Sequence, residues 1–218
     1  MQWMKTAVNI FLYNMVQNKK IERRGRPRAY DPQEALLRAT DAFWRNGYAG
    51  TSLDEITAAT GMNRPSLYAA FGDKQSLYHK ALAHYWQLRF AEIREALTGD
   101  LALDGALMSV YEAALALYFS GYDRPRGCFV IGTAVTEAVD NSEIRNSIAT
   151  GIRAFDADFE ARFQRGKNKG ELKSDADPTA LAVIATATMH TIAIRARAGI
   201  PRSELLELAR KVVRVICG

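Results

Sequence analysis

Residues 51–78, TSLDEITAATGMNRPSLYAAFGDKQSLY, predict two short helices that are joined by a glycine turn and followed by the start of a third helix. Ser52 and Glu55 form a capping box, and apolar residues then recur at helical spacing until Gly61 supplies the left-handed residue that ends the helix. Asn63 is placed to cap the second helix. Two helices joined by such a turn, with the second only about seven residues long, can place a recognition helix in a DNA major groove.

Caps and helix breakers predict the remaining helices. Asp31 and Pro32 open a helix that ends at Gly47, and Asp73 caps a helix that runs to about residue 97. Further helices are predicted over residues 101–121, 128–139, 141–165, 178–197 and 202–217. No segment shows sustained period-two alternation of apolar residues, so no strand is expected. The predicted fold class is all-α with about nine helices, of which the first three form a helix-turn-helix domain.

The positive charge of the chain is concentrated in its N-terminal part. Residues 1–86 carry 12 Lys and Arg against 7 Asp and Glu, whereas residues 87–218 carry 17 of each, which leaves the whole chain at +5. Phosphate neutralisation needs local positive charge, so a polyanion partner is predicted for the N-terminal part. The alternative is a chance imbalance. With 48% hydrophobic and 24% charged residues, the composition is that of an ordinary globular protein without a membrane span.

The sequence offers few residues suited to catalysis or metal binding. Its three histidines lack metal-ligand spacing, and the GxSxG, P-loop and HExxH motifs are absent. We therefore predict no enzymatic activity, no metal and no cofactor. The two cysteines, Cys128 and Cys217, cannot form a disulfide framework and suit a reducing cytoplasm. Because Arg124 and Arg126 precede Cys128, two interpretations of this thiol remain: a reactive sensor with a depressed pKa, or a buried inert thiol.

Residues 25–80 resemble the N-terminal DNA-binding domain of the TetR family of bacterial transcriptional regulators. The likeness rests on four motifs in the family's order and spacing: DPQEALLRATDAFWRNGY (31–48), TSLDEITAATGM (51–62), SLYAAFGDK (66–74) and SLY (76–78). Three later motifs resemble a family C-terminal domain more loosely: RGCF (126–129), KGEL (169–172) and DADPTALA (175–182). The resemblance implies that residues 81–218 form a helical ligand-binding and dimerisation domain.

The outer side of the second short helix carries the predicted DNA contacts. If Leu67 and Phe71 face the core, the outer side presents Arg64, Pro65, Tyr68 and Ala69, with Ser66 near its edge. The Arg64 guanidinium can bridge the O6 and N7 atoms of guanine, whereas Ala69 offers only methyl contact with thymine.

Further contacts are predicted with the phosphate backbone. The family resemblance implies one contact through the Tyr68 hydroxyl and another through Lys74. Thr51 and Ser52, at the N-terminus of the first short helix, suit a third. The alternatives are that Ser52 only caps its helix and that Tyr68 only packs.

The N-terminal extension carries a cluster of basic residues, which are Lys19, Lys20, Arg23, Arg24, Arg26 and Arg28. Arg26 and Arg28 can lie in a narrow minor groove, or the whole arm can be solvated and attract DNA without sequence preference. Residues 1–24 have two interpretations. They form an extra amphipathic helix, or the start codon is annotated too early and Met15 is the true start.

The C-terminal half is expected to hold a dimer interface and a ligand cavity. The resemblance implies that the last two helices pair with those of a second copy in a four-helix bundle. Small residues and an apolar stripe suit such packing: Ala180, Ala185, Thr188, Ala196, Leu205, Leu208, Val212 and Val215. Nine side chains are candidates to line the cavity: Trp86, Phe90, Tyr111, Tyr118, Phe119, Phe129, Phe155, Phe159 and His190. For both groups the alternative is packing in the core of a single subunit.

These features together predict a sequence-specific DNA-binding transcriptional regulator. Its expected partners are a palindromic double-stranded operator, a second copy of the chain and an unidentified small molecule that releases a repressor from DNA. The alternative is an architectural protein that binds DNA without sequence preference or ligand. The neutral, apolar C-terminal half argues against this alternative, since DNA architecture requires no such domain.

Overall fold

The computed structural model describes residues 30–121 and 124–218, and most of these residues lie in nine α-helices. The helices are α1 (Pro32–Gly50), α2 (Leu53–Thr60), α3 (Arg64–Phe71), α4 (Lys74–Thr98), α5 (Leu103–Tyr118), α6 (Val135–Glu137), α7 (Ser142–Asn168), α8 (Pro178–Arg197) and α9 (Arg202–Cys217). No strand occurs within the described ranges, and the all-α prediction is confirmed. The predictions for the basic arm, including Arg26 and Arg28, and for residues 1–24 lie outside the described residues.

Local capping explains where the first helices begin and end. The side chains of Asp31, Ser52, Asn63 and Asp73 each accept a backbone N–H at the start of α1, α2, α3 and α4. Gly61 has φ of 69° and ends α2 in the left-handed conformation. These interactions link residues two or three positions apart, which is why the sequence alone predicted them.

Two predicted helices differ in the structure. The helix expected over 101–121 ends at Tyr118, and the segment expected to be helical over 128–139 is a π-helical turn, Val130–Ala134, followed by the single turn of α6. The wide turn brings Thr133 Oγ1 within 2.7 Å of the Tyr78 hydroxyl. π-Helical turns concentrate at functional sites, and tertiary contacts rather than propensity select them.

A continuous apolar core connects the DNA-binding head, which we define as α1 to α3, with the body, α4 to α9. Trp44 of α1 packs edge-on against Phe129 at 5.5 Å and against Tyr85 of α4 at 5.3 Å between ring centroids. Phe43 contacts Tyr78 in the same manner at 5.2 Å. Aromatic pairs of this geometry contribute about 0.5–1.5 kcal/mol each beyond the burial of their surface. The head is therefore fixed to the body by packed rings.

Helix α8 is apolar enough to resemble a membrane span by length and composition, and 44% of its most apolar window is buried inside the protein. Its buried face contains Ala185, Met189 and Ile192 and packs against α5, α7 and α9. This placement is typical of the core helix of a helical bundle, whose packing partners are other helices.

The KGEL motif supplies the partly exposed carboxylate of an ion pair with a buried arginine, and the pair joins two ends of the body. Glu171 accepts hydrogen bonds from Arg162 of α7 at 2.7 Å and from the backbone N–H of Leu103 at 3.2 Å. The Arg162 side chain is 1% exposed, and its guanidinium also donates to the carbonyl of Leu101. These contacts, the hydrogen bond from Arg162 foremost, hold the pKa of Glu171 below its ordinary value. Glu171 therefore neutralises a cation that has almost no access to water.

Replacing Glu171 by Gln is expected to lower the free energy of unfolding by about 3 kcal/mol, because the variant leaves the buried Arg162 charge without a counterion. The contribution of a carboxylate with a depressed pKa is complete above its ordinary pKa of about 4.3 and is lost as the pH falls through the folded-state value. Urea denaturation at pH 7 and at low pH measures both effects. Glu34→Gln breaks the exposed Arg38 pair and is the matched control, with an expected loss below about 1 kcal/mol. Equal losses in the two variants would contradict this role for Glu171.

Candidate DNA-binding surface and ligand cavity

Helix α3 presents one apolar face to the head and one free face to solvent. Leu67 and Phe71 are buried at 2% and 5% exposure, while Tyr68 is 44% exposed. Arg64, Pro65 and Ala69 are exposed on the same side as Tyr68, and Ser66 is half-buried at the edge. The exposed face of α3 thus carries the residue types that contact bases and phosphates. The predicted orientation of the helix agrees with the structure, and contact with DNA stays a prediction.

Arg64 is held at the N-terminus of α3 by a residue that sequence reasoning missed. Its Nη2 atom donates to Asp54 Oδ1 of α2 at 2.7 Å, and both side chains are largely exposed. An exposed pair of this kind is weak because water screens it. Asp54 therefore orients the Arg64 guanidinium across the turn only weakly, and base contact by Arg64 stays a prediction.

Tyr68 is exposed, and Lys74 at the start of α4 is half-buried. The Lys74 ammonium lies 4.4 Å from the centroid of the Tyr48 ring, a cation–π contact that directs the side chain from the start of α4. Tyr48 is a second residue that sequence reasoning missed. Close to half of the surface of Tyr68 is exposed, and contact of its hydroxyl with DNA stays a prediction.

The structure corrects the prediction for Thr51. This residue is fully buried, and its hydroxyl donates to the carbonyl of Gly47 at 2.6 Å, so its side chain is not available to a phosphate. The hydroxyl of Thr51 instead stabilises the connection between α1 and α2. Ser52 is exposed and forms the predicted capping box with Glu55, through bonds of 3.1 and 2.6 Å. Contact of Ser52 with DNA stays a prediction.

A cavity of about 30 Å³ lies within the body between α4, α5, the π-helical turn, α7 and α8. Four of the nine candidate residues line it: Trp86, Tyr118, Phe155 and His190. Its volume is that of about one water molecule, whereas ligand pockets typically measure about 300–1,000 Å³. The cavity is therefore too small for a ligand of ordinary size in this conformation, and such a ligand would have to separate its walls.

The other five candidates do not line the cavity, which corrects the sequence prediction. Phe129 packs on the head, Tyr111 donates its hydroxyl to the carbonyl of Ala185, and Phe159 stacks on Phe163. Phe90 lies behind the cavity wall, stacked on Trp86 at 5.4 Å, and Phe119 caps the end of α5. Helical spacing predicts that an aromatic residue faces the core. It does not decide whether the ring borders the cavity or packs elsewhere in that core.

The cavity lining also includes polar residues, most of which were not among the candidates predicted from the sequence. They are Tyr85, Arg89, Glu92 and Cys128, beside the predicted Tyr118. Arg89 forms an ion pair with Glu92, while its Nε atom is buried without a partner. Burial raises the pKa of Glu92, and the Arg89 charge opposes this shift. An apolar cavity with an unused guanidinium donor suits a small, mainly apolar molecule that carries a hydrogen-bond acceptor.

Cys128 is a buried thiol whose pKa is raised by burial, while a hydrogen bond of 3.2 Å with the Tyr85 hydroxyl opposes the shift. Reactive cysteines need a depressed pKa and access to solvent. The interpretation as a buried inert thiol therefore describes this conformation. Arg126, two residues before Cys128 in the sequence, does not activate the thiol in this conformation: its Nη1 atom donates to Asp41 Oδ1 of α1 at 2.6 Å.

The exposed faces of α8 and α9 carry apolar side chains that the subunit itself does not cover. The most exposed are Val183 at 54%, Ile184 at 47%, Ile194 at 56% and Val215 at 83%. Several residues expected at a dimer interface are instead buried within the subunit, namely Ala185, Thr188, Ala196 and Leu205. Both helices therefore use one apolar face for their own core and leave a second apolar surface open to solvent.

Comparison with known proteins finds relatives for the head and for the body. Residues 36–81 match the family profile described as bacterial regulatory proteins, tetR family, and residues 106–212 match the tetracyclin repressor-like C-terminal domain. The HTH-type transcriptional repressor ComR of Escherichia coli (strain K12) is 32% identical over 194 residues, which cover 88% of this chain and 91% of ComR.

Solved structures agree with these matches. The regulator CifR, solved as a cysteine mutant in complex with a 26 bp double-strand operator DNA, is 34% identical with a TM-score of 0.74, covering 87% of this chain and 98% of CifR. A putative TetR transcriptional regulator from Rhodococcus sp. RHA1 is 30% identical with a TM-score of 0.57, covering 85% and 98% of the two chains. The likeness thus extends over head and body together.

Two substitutions on the DNA-binding surface are expected to have different effects. Arg64→Ala should weaken binding to the preferred DNA sequence by roughly tenfold to a hundredfold and relax preference at one base position, because it removes a base contact. Lys74→Ala should weaken binding to all sequences alike and lower the slope of log affinity against log salt by about one, because it removes a phosphate contact. Fluorescence anisotropy with labelled duplexes at several salt concentrations measures both. A uniform loss from Arg64→Ala would exclude a base-reading role for this residue.

Proposed function

The chain belongs to the TetR family of bacterial transcriptional regulators, and we propose that it is a repressor that a small-molecule ligand releases from a palindromic operator. It is a DNA-binding regulator rather than an enzyme, and we place its action in the cytoplasm, where its operator is found. Residues 25–80 bind DNA, and residues 81–218 bind the ligand and a second subunit.

The exposed face of α3 is the observation that supports this function most directly. Arg64, Tyr68 and Ala69 project from a short helix whose opposite face is fixed by Leu67 and Phe71 in the head core. A recognition helix must present base-reading groups without moving on its support, because base contacts discriminate only when they are well positioned. The capped turn between α2 and α3 meets this requirement.

A palindromic operator requires two recognition helices related by a two-fold axis, and the open apolar surface of α8 and α9 suits the dimer interface. Val183, Ile184, Ile194 and Val215 would be covered by the same residues of a second copy. The two heads must then lie about 34–36 Å apart, or a multiple of this distance, to enter major grooves on one side of the duplex.

The small cavity suits a ligand that changes the separation of the two heads. Helix α4 runs from the head along the cavity, where it contributes Tyr85, Trp86 and Arg89 to the wall. A ligand that opens a cavity of about 30 Å³ has to displace α4 or the helices opposite it. A small rotation of α4 would prevent the two heads from binding DNA simultaneously.

Sequencing the DNA fragments that the purified protein retains from fragmented genomic DNA tests the proposed function. We expect a few strongly enriched fragments that share an inverted repeat. Tyr68→Ala combined with Arg64→Ala is the matched negative variant, and Arg38→Ala, on an exposed face of α1, is the positive control. Retention of fragments without any common sequence would contradict sequence-specific repression and favour an architectural role.

A ligand that opens the cavity is expected to act reciprocally with the operator. By linkage, operator DNA must weaken ligand binding by the same factor as the ligand weakens operator binding, typically about 5–150-fold. Titration of the ligand by calorimetry, with and without saturating operator, measures the first factor, and operator anisotropy with and without ligand measures the second. Equal ligand affinities in the two titrations would exclude induction through this cavity.

Deleting residues 1–28 is expected to weaken binding to the operator at moderate salt and to lower its salt dependence, because the deletion removes the basic arm with Arg26 and Arg28. Deleting residues 1–18, which retains the whole cluster, is the matched control and should leave affinity unchanged. If the longer deletion also leaves affinity unchanged, the arm does not contact DNA.

A further inference from the structure

The RGCF motif is a junction at which consecutive residues contact different parts of the molecule. The Arg126 side chain contacts α1, Gly127 lies against α8, Cys128 lines the cavity, and Phe129 packs on Trp44. Gly127 has φ of 63°, and a Cβ atom built on it would lie 2.6 Å from the carbonyl oxygen of Ala193. Only glycine fits here, and the close contact fixes the segment on α8.

Arg126 makes two contacts with the DNA-binding head. Its Nη1 atom donates to Asp41 Oδ1 at 2.6 Å, and its guanidinium carbon lies 3.9 Å from the centroid of the Trp44 ring. Asp41 and Trp44 are three residues apart on α1 and hence lie on one face of that helix. The Arg126 side chain is 19% exposed, so both contacts are partly shielded from water and are stronger than a surface ion pair. We call Arg126, Asp41 and Trp44 the latch.

The same residue is attached directly to the wall of the cavity. The backbone N–H of Arg126 donates to the carbonyl of Tyr118 at 2.8 Å, and the side chain of Tyr118 lines the cavity. The Trp44 ring beneath the guanidinium contacts Tyr85 at 5.3 Å, and the Tyr85 hydroxyl is bonded to Cys128, which also lines the cavity. Arg126 is also bonded to Ser120 and Arg197 of the body. A displacement of Tyr118 or Tyr85 therefore moves one of the groups that support Arg126.

We propose that the latch is the element through which occupation of the cavity changes the orientation of the head. This inference rests on the proposed function. In the structure the cavity is too small for a ligand of ordinary size, and the latch is formed. A ligand that separates the cavity walls displaces Tyr118 and Tyr85, breaks the contacts of Arg126 with Asp41 and Trp44, and releases α1. Arg126 is a positioning residue that touches neither DNA nor ligand.

A double-mutant cycle tests the latch without knowledge of the ligand. Ala114 is 7% exposed and lines the cavity, so Ala114→Leu overfills a space of about 30 Å³ and forces its walls apart. Arg126→Met removes the charge and the donors of the latch while it keeps a long apolar side chain. We expect Ala114→Leu alone to weaken operator binding by about tenfold, within the range typical of allosteric coupling. In the Arg126→Met background, Ala114→Leu should change operator affinity by less than about twofold. A change of this size lies within the deviation expected for independent substitutions.

Two variants control for unspecific effects of overpacking and of charge. Ala106 is fully buried in the same helix and does not line the cavity, so Ala106→Leu overpacks α5 away from it. Arg124→Met removes an exposed cation close to the latch. Ala106→Leu should change operator affinity by the same factor in the wild type and in Arg126→Met. Ala114→Leu should change operator affinity by the same factor in the wild type and in Arg124→Met. An Ala114→Leu effect that is unchanged in the Arg126→Met background would overturn the proposal.

Hydrogen exchange gives a second measurement that does not depend on Ala114→Leu being folded. If the latch holds α1, backbone amides of residues 38–50 should exchange several-fold faster in Arg126→Met and in Asp41→Asn than in the wild type, while those of α9 should not change. Unchanged exchange in α1 would overturn the proposal. The fragment-enrichment experiment distinguishes failure of the proposed function from failure of the latch. If the proposed function is wrong, the wild-type protein enriches no common DNA sequence, irrespective of the exchange rates in α1.

Discussion

The packing of Trp44 between the body and the Arg126 guanidinium is the interaction on which the rest of the structure depends. Trp44 belongs to α1, yet its ring lies against Phe129 and Tyr85 of the body, and Arg126 covers one of its faces. Large aromatic rings suit such a junction, because each buries much apolar surface and fixes the angle between the elements it joins.

This junction connects the head with the residues that line the cavity of the body. Tyr85 packs against Trp44 and also lines the cavity. Of the two consecutive residues Cys128 and Phe129, the first lines the cavity and the second packs against Trp44. Packed interiors respond to a change of volume by moving between discrete arrangements rather than by deforming smoothly. A small cavity next to a tightly packed junction is therefore a suitable place for a ligand to act on distant DNA contacts.

The interactions that shape the DNA-binding surface are local in the sequence. The cap of α2, the left-handed Gly61, the cap of α3 and the Asp54–Arg64 pair all lie within residues 52–66. The body, by contrast, is closed by contacts between residues far apart in the chain, such as Glu171 with the backbone of Leu103. Recognition of DNA and response to a ligand are thus supported by two different kinds of interaction in one continuous core.

The sequence by itself determined the class of fold, most helix boundaries and the exposed face of α3. It could do so because caps such as Ser52 and Asn63, and the helical spacing of Leu67 and Phe71, act over three or four residues, a range that is visible along the chain.

Only the tertiary structure decided which residues the body brings together. It buried Thr51, excluded Phe129 and Tyr111 from the cavity, formed a π-helical turn next to it, and directed Arg126 to α1 instead of to Cys128. Asp41 and Arg126 are 85 residues apart in sequence. The partner of a side chain at such a distance is set by how helices pack as whole bodies, and no local pattern of residues encodes that packing.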